Sequence, residues 1–382
     1  MANSSPPSRL PLAKPSELGL DGDRLRLAYD QLDTWTREGS VPGGAILVGR
    51  RGKIVETHFT GRQGPERDAS PIRPDSVFLL ASITKPVVYT AAMQLIEQGR
   101  LGLTEPVTRY FPEFAAHHKE DTLVIHLFTH TSGLPDMLPN NVELRKQHAP
   151  LSRFVEGVTR DAVPLFPPGT SVSYQSMGTL MVAAIVEKIT GQPLPKWLKQ
   201  NWFAPLGMAS SSLGSGTLDR ARLVRVQLPD YLQGGENDYA WNSEYWQKLG
   251  SPWGGMFSSP EDFAVYCQML LNGGHYEGVK LLSPAAVERM TTNRLNDLPD
   301  VPEKFRRTQP WGLGWRLNHP GTDDSWGDLL GPRTFGHTGA TGTTVWIDPD
   351  REGFCILFTS GLRAAAPWRL VRLSNIVASA FE

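Results

Sequence analysis

Cysteine is nearly absent from this chain: only Cys267 and Cys355 occur in 382 residues, each inside an apolar stretch, Phe263 to Leu271 and Phe354 to Phe358. Two thiols so far apart make no disulfide framework. No Cys-x-x-Cys spacing points to metal or redox work, so both are expected as buried free thiols. Charge of one sign is equally scarce. Lys and Arg total 38 against 39 Asp and Glu, a formal net charge of −1, which gives no field to gather nucleic acid or an anionic membrane. No run approaches the roughly 18 consecutive apolar residues of a membrane span. The first twenty residues carry Pro6, Pro7, Pro11 and Pro15 and no apolar stretch like a signal-peptide core, so a cytoplasmic setting is expected. Neither a G-x-S-x-G elbow, a G-x-G-x-x-G loop, a Walker loop nor an H-E-x-x-H pair is present. The expectation is an enzyme with no cofactor and no metal, whose partner is a small-molecule ester or amide. The sequence leaves its oligomeric state open.

What is present is an ordinary globular composition, 40% hydrophobic, long enough for one large domain or two packed ones. Near the start, the strand-like runs Gly44 to Val48 and Lys53 to Phe59 flank the turn Gly49-Arg50-Arg51-Gly52 and predict a β-hairpin. Near the end, Thr343 to Ile347 and Phe354 to Thr359 flank a turn rich in Asp, Pro and Gly and predict a second one. Helical spacing follows from Trp368 to Phe381. Between the hairpins, helices are predicted over Pro86 to Gln98, Leu151 to Val158, Met177 to Thr190, Leu194 to Trp202, Pro260 to Leu271 and Pro284 to Thr292, with Gly191 and Gly273 as stops. The domain reading is a flexible tail over 1–17, a sheet region from 18–80 and 300–382, and a mainly helical region over 81–299, with the active site at their junction. Two long irregular stretches, Leu213 to Gly255 and Asn293 to Arg333, carry many aromatics, among them Tyr231, Tyr239, Trp241, Tyr245, Trp246, Trp253, Trp311, Trp315 and Trp326. They are expected to form ordered walls.

Three constellations can carry chemistry. Ser82-Ile83-Thr84-Lys85 opens an apolar helical run with an early Pro86. Three-residue spacing on a helix puts hydroxyl and amine on one face, about 5–6 Å apart at Cβ. A serine needs a base to become a nucleophile, and a buried lysine has the depressed pKa that the task requires. Taken alone, S-x-x-K arises by chance about once in a chain this long. The second constellation, Pro167 to Ser176, runs into a helix and places Tyr174 near its start, where a tyrosine beside a lysine can shuttle a proton. The third, Phe335-Gly336-His337-Thr338-Gly339-Ala340-Thr341-Gly342, precedes a strand. Its glycines allow close backbone approach, so that the Ala340 N–H can meet an oxyanion while His337 and Thr338 face substrate.

In this order, Ser-x-x-Lys, Tyr-x-Ser and His-Thr-Gly resemble the three motifs of the class C β-lactamase-like serine hydrolases, which include penicillin-binding peptidases and related esterases. Leu127 to Leu134, Pro205 to Met208 and Gly254 to Phe263 look like further landmarks, so the resemblance extends over roughly Leu18 to Leu362. It implies an α+β fold: an antiparallel β-sheet flanked by helices, with an adjacent all-helical region. It also implies Ser82 as the acylated nucleophile, a base role shared by Lys85 and Tyr174, and an oxyanion hole from the N–H groups of Ser82 and Ala340. Ser176, His337, Thr338 and Gly339 are then the substrate-binding residues. Two departures bear on substrate. Ser176 stands where Asn is frequent and cannot reproduce an amide's donor and acceptor pair. His337 stands where many β-lactamases have Lys, which weakens the anchoring of a carboxylate.

The favoured reading is a carboxylesterase acting through an acyl-enzyme on small esters with an apolar group. The alternatives are β-lactamase or D-amino-acid peptidase or acyltransferase chemistry on the same acyl-enzyme, and a non-catalytic ligand-binding homologue. His130 is expected to serve as a structural hydrogen-bonding residue.

Overall fold

The computed structural model describes residues 9–229, 232, 237–319 and 326–382. Tyr231 and the first eight residues of the expected tail lie outside them.

The chain opens with α1 (Gly22–Arg37), followed by β1 (Gly43–Arg50), β2 (Lys53–Ile54) and β3 (His58–Gly61). A long excursion then runs through β4 (Phe78–Leu79), α2 (Thr84–Glu97), α3 (Val124–Phe128), α4 (Asn141–Lys146), α5 (Leu151–Glu156), α6 (Ser176–Thr190) and α7 (Leu194–Leu198). It continues with β5 (Ser212–Leu213), α8 (Glu244–Leu249), β6 (Met256–Ser258) and α9 (Pro260–Leu271). The small hairpin β7 (His275–Tyr276) and β8 (Val279–Lys280) leads through α10 (Pro284–Met290) and α11 (Glu303–Thr308) back to the sheet. There β9 (Arg316–Leu317), β10 (Phe335–Gly339), β11 (Thr343–Asp348) and β12 (Gly353–Thr359) precede the last helix, α12 (Trp368–Ser379).

The main sheet has the order β2-β1-β12-β11-β10-β9, with β3 also paired to β1. Every ladder in it is antiparallel. Both chain ends therefore supply it, as the two hairpins predict. The second strand of the first hairpin is split into β2 and β3, both paired to β1.

Side chains alternate across the pleat, so β1 sends Ala45 and Leu47 to one face and Ile46 and Val48 to the other. The second face is covered by α1 and α12, through Leu25, Leu32, Leu373 and Val377. The first face joins the core shared with α2, α6 and α9. Coverage of both faces explains why β1 and β12 read as almost continuous apolar runs rather than as an alternation. Helix α1 belongs to no predicted element, although Asp21 caps it by accepting from the Asp23 and Arg24 N–H groups, and its buried positions Leu25, Ala28, Leu32 and Trp35 follow helical spacing.

Two regions differ from expectation. Residues 9–17 are docked rather than tail-like: Leu10 is buried, Ala13 N–H donates to Ile54 C=O at 2.9 Å, and Ile54 N–H donates to Pro11 C=O at 3.0 Å. A second sheet, β4-β6-β5, joins the end of the first sheet region to two strands inside the helical region. It is this small sheet that seats the turn ahead of α2. Cys267 and Cys355 are both buried and free, as expected, and burial pushes both thiols well above their ordinary pKa.

Candidate active site

Ser82 sits in a tight 3-10 turn, Ala81–Ile83, between β4 and α2. Ala81 has φ +48°, the left-handed region that costs a non-glycine residue about 1–2 kcal/mol. Neighbouring elements hold this turn in place. Leu80 N–H donates to Met256 C=O at 2.9 Å on β6. From the turn after β10, Thr341 Oγ–H donates to Leu79 C=O, and from the start of β11, Thr343 Oγ–H donates to Leu80 C=O, each at 2.9 Å. Gly339 completes the contact, because a Cβ there would lie 2.4 Å from the Leu80 carbonyl oxygen and 2.2 Å from Thr343 Oγ1. The strand of the third motif thus presses directly onto the turn of the first. Gly339→Ala is expected to cut kcat/KM for a short ester by about 10²-fold and to lower the melting temperature. Steady-state kinetics with a thermal melt check this, and an unchanged rate would contradict so close a contact.

Lys85, one turn into α2, is 1% exposed. Its Nζ donates to Ser82 Oγ at 2.9 Å and to Trp253 C=O at 2.8 Å. The Nζ also stands over the Tyr174 ring, 4.7 Å from the centroid. Burial pulls its pKa down to about 7, opposed by the negative charge of Asp136. Much of this amine is therefore neutral at physiological pH. The folded-state pKa lies below the unfolded one, so the lysine's destabilising effect is full below pH 7 and fades as pH rises from about 7 towards the unfolded lysine value. Lys85→Met is accordingly expected to raise the melting temperature at pH 6, with a gain that shrinks above pH 7. A pH series of thermal melts reads the trend; a variant less stable than the parent at pH 6 would count against it.

The second motif is held by the Leu127 to Leu134 segment. Gln175 N–H donates to His130 Nδ1 at 3.1 Å. The Gln175 amide donates to His126 C=O at 3.0 Å and accepts a short hydrogen bond from Ser132 Oγ–H. Burial keeps the His130 imidazole far below its ordinary pKa, so it is neutral, and with Nδ1 accepting its proton resides on Nε2. Its ring centroid lies 4.9 Å from that of Tyr174 and 4.2 Å from that of Trp311. His130 thus positions Tyr174, in keeping with the structural role expected of it. The Ser176 N–H and Oγ–H both donate to Asp136 Oδ1, at 2.9 and 2.6 Å.

In the third motif, His337 Nδ1–H donates to Thr338 C=O at 2.8 Å. Its ring lies 5.9 Å from Tyr174 and 6.0 Å from Trp311, centroid to centroid. Since, among the described residues, β9 pairs with β10 only at Phe335 and Gly336, the remainder of β10 leaves an edge towards the site. Ala340 follows it, with its carbonyl accepting from Arg363 N–H at 3.0 Å.

These pieces enclose a cleft of about 430 Å³. Ser82, Tyr174, Ser176, His337, Thr338, Gly339 and Ala340 all line it, with Lys85 buried beneath Ser82. The aromatic walls are Trp241, Trp246, Trp253, Trp311 and Trp326, whereas Trp315 belongs to the core. A more open groove of about 900 Å³ passes between Pro150 and Lys248. Its histidine, His148, pairs with Asp238 at 2.9 Å and stacks on Tyr245, so greater volume brings no nucleophile–base couple there. Among the described residues, no group of three or more His, Cys, Asp or Glu is placed to hold a metal, and no helix is long and apolar enough to cross a membrane.

The motifs left four charged lining residues unmarked: Asp136, Arg145, Arg316 and Arg363. Arg145 donates to Tyr239 C=O at 2.9 Å and lies 4.3 Å over the Trp246 ring, and Arg316 lies 5.7 Å over Trp311. For Asp136 a weak signal existed, since it follows the landmark segment in Gly133-Leu134-Pro135-Asp136.

Comparison with known proteins bears on the family and the fold. The family model described as Beta-lactamase matches residues 26–379. A curated relative, "Putative D-alanyl-D-alanine carboxypeptidase" of Salmonella schwarzengrund (strain CVM19633), is 27% identical over 379 residues, covering 89% of this chain and 83% of its own. The crystal structure of a penicillin-binding protein homolog from Caulobacter crescentus superposes with a TM-score of 0.76 at 22% identity, covering 95% of this chain and 99% of the other. EstCE1, described as a hydrolase with promiscuous acyltransferase activity, gives 0.75 at 20% identity, with coverage of 93% and 99%. At such identities the two structures speak for the fold. With the family model spanning nearly the whole chain, the protein belongs to the Beta-lactamase family and is a serine hydrolase of the β-lactamase/transpeptidase fold.

Proposed function

We propose that the protein is a carboxylesterase that hydrolyses small esters through an acyl-enzyme on Ser82. The observation that carries this reading is the buried Lys85 amine, its pKa drawn down to about 7, at 2.9 Å from Ser82 Oγ. In its neutral form this amine has a lone pair to receive the Ser82 proton as Oγ bonds to the ester carbonyl carbon. The carbonyl π electrons move to oxygen, and the N–H groups of Ser82 and Ala340 receive the oxyanion. Collapse breaks the C–O bond, and the departing alkoxide takes back a proton from Lys85 by way of Tyr174. Water then attacks the acyl carbon, gives its proton to the same pair, and Ser82 leaves reprotonated.

Ser176, His337, Thr338 and Gly339 bind substrate in this scheme. Ser176 has its hydroxyl proton committed to Asp136, and His337 has its Nδ1 proton committed to Thr338 C=O. A substrate amide or carboxylate finds less at these positions than Asn and Lys would offer. The five tryptophans lining the cleft suit an apolar acyl or alcohol group. This combination favours esters over β-lactams and D-amino-acid peptides.

A panel of p-nitrophenyl esters from acetate to octanoate, run beside a chromogenic cephalosporin and a D-alanyl-D-alanine peptide, tests the reading. The esters are expected to exceed both by at least about 10²-fold in kcat/KM. A cephalosporin or peptide turned over faster than every ester would overturn it.

A further inference from the structure

We propose that Asp136 is a positioning residue, which fastens Ser176 and the start of α6 into the cleft and sets the lower pH limit at which Lys85 serves as base. The inference rests on the proposed role of Lys85 and adds a residue that none of the three motifs contains.

The first part of the argument is geometric. Helix α6 begins at Ser176 and is buried over most of its length, so its leading N–H groups need partners. Its N-cap residue, Gln175, makes no side-chain cap hydrogen bond, because its amide is turned to the His126 and Leu127 carbonyls instead. Asp136 takes over from 40 residues away, with one oxygen accepting both the Ser176 N–H at 2.9 Å and the Ser176 Oγ–H at 2.6 Å. Hydrogen bonds to a carboxylate are stronger than neutral ones, and two on one oxygen fix the direction of the Ser176 side chain. Tyr174 lies two residues earlier on the same loop, so its ring inherits this anchor as well as that of His130.

The second part is electrostatic. Lys85 is faced by Ser82 from its own turn, by the Tyr174 ring from the loop before α6, and by the Trp253 carbonyl from the segment before β6. His130 and His337 lie in the same cluster. Among the described residues no carboxylate reaches ion-pair distance of Lys85, and Asp136 is the one whose charge opposes the effect of burial on it. Asp136 is exposed on the cleft wall, and no described Arg or Lys pairs with it within 4 Å. Water screens that charge without cancelling it. With the charge removed, Lys85 sheds its proton at lower pH.

The test titrates Lys85 directly, by NMR of protein labelled with [13Cε]lysine, the resonance being assigned from its loss in Lys85→Met. Asp136→Asn keeps an acceptor for Ser176 but removes the charge, and is expected to move the Lys85 titration down by about half a pH unit. Ser176→Ala keeps the charge and is expected to leave the titration in place. In ester kinetics, the acid limb should shift in Asp136→Asn by the same amount, and Asp136→Ala should also lose about tenfold in kcat. An unmoved or raised titration in Asp136→Asn, or an equal shift in Ser176→Ala, overturns the proposal. The NMR readout needs no turnover. A protein that hydrolyses no ester yet shows the shift would refute the esterase reading and sustain this one.

Discussion

Alanine at Ser82 is expected to reduce kcat/KM for short esters by about 10⁴-fold or more, because the Ser82 hydroxyl that lies 2.9 Å from Lys85 Nζ is the nucleophile the scheme requires. Loss on this scale separates nucleophilic catalysis from assistance. A residue that only oriented a water molecule would leave a far larger residue of activity. The fold should tolerate the change, since Lys85 keeps its hydrogen bond to the Trp253 carbonyl and the Ala81–Ile83 turn remains held through Leu79 and Leu80. Circular dichroism and a melt within a few degrees of the parent, beside a rate near background, are the expected pair of results. Retained turnover in this variant would remove the acyl-enzyme from the scheme.

The second large effect concerns pH. A base must be neutral to accept a proton, and Lys85 becomes neutral as pH rises through about 7. The rate should therefore climb with pH, with an inflection near 7, and fall about tenfold for each unit below it. An ordinary exposed lysine would place that limb above pH 10. Lys85→Met is expected to lose about 10²–10⁴-fold and to abolish the limb. Lys85→Arg should fare no better, because a guanidinium stays protonated and cannot act as a base. A wild-type profile flat from pH 5 to 9 would exclude Lys85 as the group that controls the rate.

How much of this could be read before the structure depended on the range of the interactions. The hairpins were legible because their register is set by turns a few residues long, and α6 and α9 because their own spacing and stops are local. The pairing of Ser82 with Lys85 is one helical turn, again local. Asp136 shows the opposite case: it accepts from the first residue of a helix that starts forty residues later, so the local spacing that reveals α6 gives no sign of this partner. The docked segment 9–17 was obscured by its prolines, which suit an edge strand as well as a tail; here Leu12 bridges to Ile54 at the end of the sheet. The Ala81 turn was invisible for a related reason. Nothing in an alanine announces φ +48°; the conformation is imposed by the Thr341, Thr343 and Gly339 contacts from the other end of the chain. Likewise the arginines of the cleft come from α4, β9 and the turn after β12, and only folding brings them to one cleft.

The central claim is that Ser82 is the atom donor of a covalent intermediate, and covalent trapping tests it most directly. Incubation with a fluorophosphonate, which loses fluoride as the serine oxygen bonds to phosphorus, should add a single label to the intact mass. Peptide mapping should place that label on Ser82, and Ser82→Ala should stay unlabelled. Label at another residue, or equal labelling of Ser82→Ala, would contradict the account.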